Sequence, residues 1–510
     1  MSKLKTANLF QSGMVLQRNK PLRVWGEAAP GIEVTVQIQG KQGTSIANAN
    51  GAWLAELPAL STSECEVLEI TAGGESLTCH DVAVGEVFVA SGQSNMEFFM
   101  RYEKHKQETL ATCKNDRIRF YDVPKVAYIG QDLDFDYDNV GIWRKANAEN
   151  LDYFSAVGYY FASALEQALN VPVGIIGCNW GGTATAAWMR RDSAERLQRP
   201  EVARFAEFAK GISEQDLRTR FSNFFLCDHG LSSWDPFSEF VMPRTPSPEE
   251  FAAFFAQAQM PDGEEFTNVI LPEQNPGSLF EHMVMTIAPV SVSGILWYQG
   301  ESDDNEDESL IRYAESMEAV ITDWRTAWND PKLPFFLVQL PGFRSWGATN
   351  NLHYAAIRAD QQKVTDSDER VFLCSISDVG EEFDIHPKDK KTVGTRLALL
   401  AEHYLYGLDV SADAPVFAGT ERNGNTLIIT FHHGSGLHIA GDSLNALDVS
   451  SGNSAVAYEV STEENRLIIR LKQDILLTTP VSVNYAQSAW YQVNLYNDAG
   501  LPAFPFKAEL

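Results

Sequence analysis

Gly85-Glu-Val-Phe-Val-Ala-Ser91 is the stretch on which the reading of this 510-residue chain turns. It is a short, almost wholly apolar run, of the kind that fills a strand buried on both faces. Ahead of it the chain reads as strands and turns. Pro21-Leu-Arg-Val-Trp-Gly26, Glu33-Val-Thr-Val-Gln-Ile38, Ala52-Trp-Leu-Ala-Glu-Leu57 and Glu66-Val-Leu-Glu-Ile-Thr71 are rich in β-formers and separated by Gly and Pro. Behind it, apolar strand candidates alternate with helix-length amphipathic segments, the pattern of a parallel α/β sheet. Phe154, Val157, Phe161, Leu165 and Leu169 share a face at spacings of three and four, which predicts a helix over 154–170. Val171-Pro-Val-Gly-Ile-Ile-Gly177, Val292-Ser-Gly-Ile-Leu-Trp297, Pro334-Phe-Phe-Leu-Val-Gln339 and Arg370-Val-Phe-Leu-Cys374 are further strand candidates. Segments 308–328 and 388–406 predict two more helices.

Residues 195–285 interrupt this rhythm with several aromatics and the loop-like Pro243-Arg-Thr-Pro-Ser-Pro248 and 272–277. They read as an insertion over the sheet, a lid or substrate wall, with plain structural decoration as the alternative. From about Asp413 the chain returns to β character. Thr426-Leu-Ile-Ile-Thr-Phe431, Ala455-Val-Ala-Tyr-Glu-Val460, Arg466-Leu-Ile-Ile-Arg-Leu471 and Pro480-Val-Ser-Val-Asn-Tyr485 look like sandwich strands. The expected division is an N-terminal β domain (1–85), a central α/β domain (86–408) and a C-terminal β-sandwich-like domain (409–510).

Composition removes several classes of function. The 44% hydrophobic and 11% aromatic content is that of a folded globular protein. A formal charge of −28 argues against nucleic acid and anionic membrane as partners, because phosphate binding needs clustered Lys and Arg. No apolar run approaches the ~20 residues that span a bilayer. The start, Met1-Ser-Lys-Leu-Lys-Thr6, lacks the apolar core of a secretory leader. A cytoplasmic protein is expected, with a trimmed secreted one as the alternative. Cys65, Cys79, Cys113, Cys178, Cys227 and Cys374 are scattered, with no CxxC pair, which suits reduced thiols better than zinc or a disulfide framework.

Ala90-Ser-Gly-Gln-Ser-Asn-Met96 follows the pivotal strand and opens a predicted helix. Ser94 therefore sits at the carboxyl end of a strand, where open α/β sheets place their ligands. A helix start behind it would present free backbone N–H groups to developing negative charge. A serine needs a base to act as a nucleophile. Of the ten histidines, His386 stands in Asp384-Ile-His-Pro387, a loop after the last α/β strand. In an extended segment residues i and i+2 point to one side. Asp384 could then hold one imidazole nitrogen and leave the other for Ser94. A surface Asp–His pair is the bland alternative. Cys178-Asn-Trp-Gly-Gly-Thr183 and Trp297-Tyr-Gln-Gly-Glu-Ser-Asp303 also end strands, and their glycines and Gln299 are candidate oxyanion donors. Each is weak alone, but four strand-end loops together assemble a nucleophile, a base, an orienter and donors.

These blocks resemble those of the SGNH hydrolases, in the variant found in sialate O-acetylesterases and related carbohydrate acetylesterases. Gly92-Gln-Ser-Asn95, Gly181-Gly-Thr183, Trp297-Tyr-Gln-Gly-Glu-Ser302 and Asp384-Ile-His-Pro387 match the four blocks in order. Met14-Val-Leu-Gln-Arg18 and Asn494-Leu-Tyr-Asn-Asp-Ala-Gly-Leu-Pro-Ala-Phe-Pro-Phe506 are similar to the two ends of the family sequence. The resemblance implies a flavodoxin-like three-layer α/β/α core with a parallel sheet, flanked by β units. It implies a serine esterase that removes O-acetyl groups from a sugar or oligosaccharide without metal or cofactor. Ser94 would be the nucleophile, His386 the base and Asp384 its orienter. The N–H groups of Ser94 and Gly182 and the Gln299 amide would form the oxyanion hole. Arg101, Trp188 and Arg190 lie near these blocks and are candidate substrate contacts. The rivals are esters of neutral oligosaccharides derived from xylan, mannan or xyloglucan, and an inactive carbohydrate-binding protein.

Overall fold

In the computed structural model, which describes residues 3–131, 140–217, 219, 240–257, 270–305, 307–347 and 349–510, the pivotal stretch lies inside one long strand, Glu75–Gly92. This strand starts in the N-terminal β unit, antiparallel to Ser63–Ala72, and ends at the heart of the α/β sheet. Val82 to Gly92 are all buried, as the apolar run demands.

The central sheet runs Trp143–Ala146, Asn115–Asp122, Val173–Asn179, Glu75–Gly92, Gly294–Tyr298, Phe335–Val338 and Val371–Cys374. All neighbours are parallel except the edge strand Trp143–Ala146. The five strands anticipated from sequence are consecutive neighbours, in the spatial order 2-1-3-4-5, with two further strands outside the second. Two strands were not anticipated, Asn115–Asp122 and Trp143–Ala146. Polar residues disguise them: Arg119 is buried because its guanidinium donates to the Gly13 and Asp81 carbonyls.

Helix boundaries follow their caps. The helix predicted at 154–170 is Ala156–Leu169, begun by the Ser155 side chain accepting from the Gly158 N–H and ended by Asn170 at φ 52°. The one predicted at 308–328 starts only at Tyr313, because Glu308–Leu310 forms a separate 3-10 turn. The third is Lys390–Tyr404, capped by Asp389. A further helix, Tyr354–Ser367, was missed because its buried stripe includes Arg358 and Gln361. Ala156–Leu169 packs on Lys390–Tyr404, and Tyr313–Trp328 on Tyr354–Ser367.

Most buried apolar side chains from Leu4 to Ala412 form one continuous core, in which the N-terminal strands share, and Phe98, Val241, Met242 and Phe251 form a small cluster of their own. A second core lies between two four-stranded antiparallel sheets in the C-terminal unit, where the Phe506 ring stacks on Phe417 and Tyr485. Of the 195–285 insertion, 218, 220–239 and 258–269 lie outside the described residues, as does Cys227. The other five cysteines are free thiols. Among the described residues, no helix is long and apolar enough to cross a membrane.

Candidate active site

Three of the strand-end loops meet because their strands are adjacent, and the fourth, with Asp384 and His386, reaches back to them from beyond the edge strand Val371–Cys374. Gly92 closes the pivotal strand at φ 131°, and a Cβ there would lie 2.1 Å from the Tyr298 carbonyl oxygen. Only glycine allows this crossing. The chain then turns, and Ser94 opens a helix of just four residues, Ser94–Glu97. The predicted helix is thus a single turn, so exposed N–H groups rather than a macrodipole are what it offers.

Ser94 Oγ lies 2.9 Å from His386 Nε2, across 292 residues of sequence. Ser94 is half-buried and within reach of solvent, whereas His386 and Asp384 are buried. Asp384 Oδ1 stands 3.7 Å from His386 Nδ1, beyond hydrogen-bonding length. That oxygen accepts instead from the His386 backbone N–H at 2.8 Å. The other oxygen pairs with Lys388 Nζ at 2.8 Å and accepts from Thr245 Oγ1 at 3.1 Å. Asp384 therefore acts on the imidazole through its charge and not through a hydrogen bond. Burial raises its pKa, but His386 and Lys388 outweigh that and hold it below the usual carboxylate range. Burial pushes His386 down, more than Asp384 pulls it up, which keeps the imidazole neutral and basic near pH 7. Trp346 meets the imidazole edge-on at 5.0 Å.

Gly182 takes φ 74°, and neither its N–H nor that of Ser94 donates a bond among the described residues. The preceding N–H, of Gly181, is taken by Glu97 Oε2 at 2.8 Å, and Glu97 is in turn paired with Lys125 at 2.5 Å. A Cβ on Gly181 would lie 3.2 Å from Ser94 Cβ, so this loop is pressed against the nucleophile.

Gln299 is not where the sequence put it. Its amide nitrogen donates to Thr183 O at 3.1 Å and Asp303 Oδ2 at 2.6 Å, and the side chain has no exposure. Both acceptors require an N–H, which fixes the amide's orientation and makes Gln299 a brace for the Gly181–Thr183 loop. Asp303, whose role was missed, also accepts from the Thr185 N–H and from Arg199 Nη2 at 2.9 Å in a fully buried pair. Trp188 is not a substrate contact either. It is wholly buried, edge-on to Trp297, with Nε1 donating to Thr183 Oγ1. Arg190 is exposed and held by Asp192 through two 2.9 Å bonds. Arg101 lies over the rings of Tyr102 and Tyr153.

Thr245, Asn95, Glu301 and Lys390 also belong to this neighbourhood and went unremarked as site residues. Asn95 and Glu301 stood inside the quoted blocks, which was their available signal. Glu103, His105 and Asp389 approach one another closely enough to suggest a cation. However, Asp389 caps a helix, and Glu103 accepts from the His105 N–H and the Tyr160 hydroxyl.

The family model for carbohydrate esterase, sialic acid-specific acetylesterase, matches residues 267–402, which include Glu301, Asp384 and His386. The sialate O-acetylesterase of Mus musculus is 25% identical over 550 residues, covering 99% of this chain and 94% of that protein. The Homo sapiens sialate O-acetylesterase is 26% identical over 555 residues, covering 98% and 92%. The crystal structure of a carbohydrate acetylesterase from Xanthomonas citri superimposes with a TM-score of 0.76 at 28% identity, over 99% of both chains. With near end-to-end similarity in sequence and in fold to sialate O-acetylesterases and to a carbohydrate acetylesterase, the chain is an esterase.

Proposed function

We propose that this esterase hydrolyses O-acetyl groups on a sugar through an acetyl-enzyme on Ser94, within a three-layer SGNH core. The 2.9 Å contact between Ser94 Oγ and His386 Nε2 carries the reading. Ser94 Oγ attacks the acetyl carbonyl carbon while His386 Nε2 takes its proton. The oxygen that becomes negative accepts from the N–H groups of Ser94 and Gly182, and losing one such donor typically slows the step by ~10²–10³. Collapse breaks the bond to the sugar oxygen, which leaves with the proton from His386. Water then attacks the acetyl-Ser94, giving its proton to His386, and acetate departs as the serine is restored. Asp384 offsets the imidazolium charge in both halves.

A sialate O-acetyl ester is the first substrate reading, through the likeness to the sialate O-acetylesterases. A second reading, a neutral acetylated oligosaccharide, is favoured by Arg190. A sialate carboxylate wants a free cation, and Arg190 is already held by Asp192. Acetate release from acetylated sialic acid and from acetylated neutral oligosaccharides, measured side by side, separates the two. Ser94→Ala is expected to abolish acetate release from every substrate in the panel. Unchanged release would rule out the mechanism.

A further inference from the structure

Behind the Ser94–His386 pair lies a buried cluster that the proposed reaction does not use. Lys390 is the first residue of the helix Lys390–Tyr404 and has no solvent exposure. Its Nζ donates to Asn95 Oδ1 at 2.5 Å and lies 4.7 Å and 5.2 Å from the ring centroids of Phe98 and Tyr298. On its other side, Asn95 Nδ2 donates to Glu301 Oε1 at 2.5 Å and to the Ile385 carbonyl at 2.9 Å. One amide thus joins the residue after the nucleophile, the loop after Gly294–Tyr298 and the backbone of the residue before His386. A lysine is a costly choice here. A helix N-terminus disfavours a cation, and a methionine would fill the same space without the desolvation of an ammonium.

We propose that Lys390, Asn95 and Glu301 form a positioning set that holds the His386 loop at hydrogen-bonding distance from Ser94. The inference rests on the Ser94–His386 reading above. Lys390 works by clamping Asn95 Oδ1, which turns Nδ2 toward Glu301 and Ile385 together. Lys388, Glu301, Asp384, Glu381 and His386 are the charged or titratable groups acting on or facing it. Burial lowers the Lys390 amine to about 7, so the ammonium is present where the buried His386 titrates. There it opposes a second positive charge on the imidazole.

The test is Lys390→Met in the full chain, assayed with p-nitrophenyl acetate across pH. A fall in kcat of about 10- to 100-fold is expected, the scale of a small misplacement of reacting groups. KM should change less than about threefold, since the lost contact is not to substrate. The acid limb of kcat/KM should also move to higher pH, because removing the cation lets His386 protonate more easily. Glu301→Gln keeps an acceptor oxygen for Asn95 and should retain kcat within about threefold, while Glu301→Ala should fall like Lys390→Met. A Lys390→Met enzyme with kcat within about twofold of the parent and an unmoved acid limb overturns the inference. If that variant does not fold, Glu301→Ala decides on kcat alone. If neither folds, the set is structural and the inference falls. Loss of activity in Ser94→Ala beside an unaffected Lys390→Met would sink this inference alone, whereas an active Ser94→Ala would sink the esterase mechanism beneath it.

Discussion

His386 is held between opposing influences: burial and two lysines favour its neutral form, and Asp384 favours the charged one. Burial prevails, so the group should serve as a base to lower pH than a free histidine. The acid limb of kcat/KM should have its midpoint below 6.5, with full activity at neutrality and loss as pH falls through the limb. Initial-rate profiles on an acetyl ester check this, and a midpoint above 6.5 would contradict it. Ser94, Asp384 and His386 were legible in sequence because each follows an apolar strand and the acid stands two residues from the histidine. Gln299 and Trp188 were misread for one shared reason. A side chain in or near a strand-end block looks the same in sequence whether it faces the cleft or bonds inward to Asp303 and Thr183. Only the partners, remote in the chain, decide.

Elements bring those partners in. The segment Phe240 to Gln257 closes against the site: Thr245 reaches Asp384, and Phe251 meets Trp346 edge-on at 4.9 Å. Those two contacts put this part of the 195–285 stretch against the His386–Asp384 side of the site. Five strands of the sheet were readable from apolar runs, whereas Asn115–Asp122 and Tyr354–Ser367 hid behind buried arginines that bond to carbonyls. The tightest element contact is Gly92 against Tyr298. Gly92→Ala would place a methyl 2.1 Å from a carbonyl oxygen in a conformation that disfavours any side chain. A stability loss of about 4 kcal/mol or more is expected, in the exceptional range for one substitution. Thermal melts followed by circular dichroism would show it, and a melt like the parent's would refute it.

Across the molecule, the C-terminal unit has its own core yet grips the loop beyond Phe335–Val338. The Phe343 N–H donates to Ala489 O, Asn351 donates to the same carbonyl, and Arg358 lies over the Tyr491 ring. That loop leads to Trp346, so the C-terminal unit steadies the environment of His386 from outside. Tyr491→Ala should cost about 3 kcal/mol by opening a buried cavity. It should also lower kcat, although Tyr491 belongs to no catalytic block. Urea titration and steady-state rates on the same preparation measure both, and a large stability loss with unchanged kcat would refute the bracing.

The strand Glu75–Gly92 has a separate consequence, for how such a protein can be inherited or rebuilt. Eighteen residues run without a break from the N-terminal unit to the residue that turns the chain into Ser94. Recombination at residue 85, where the sequence changes character, would sever a single beam in the middle of its hydrogen bonding. An exchange of modules that preserved the nucleophile would have to carry the first ninety-odd residues with it, and would find its natural seam after Ala412, between the two cores.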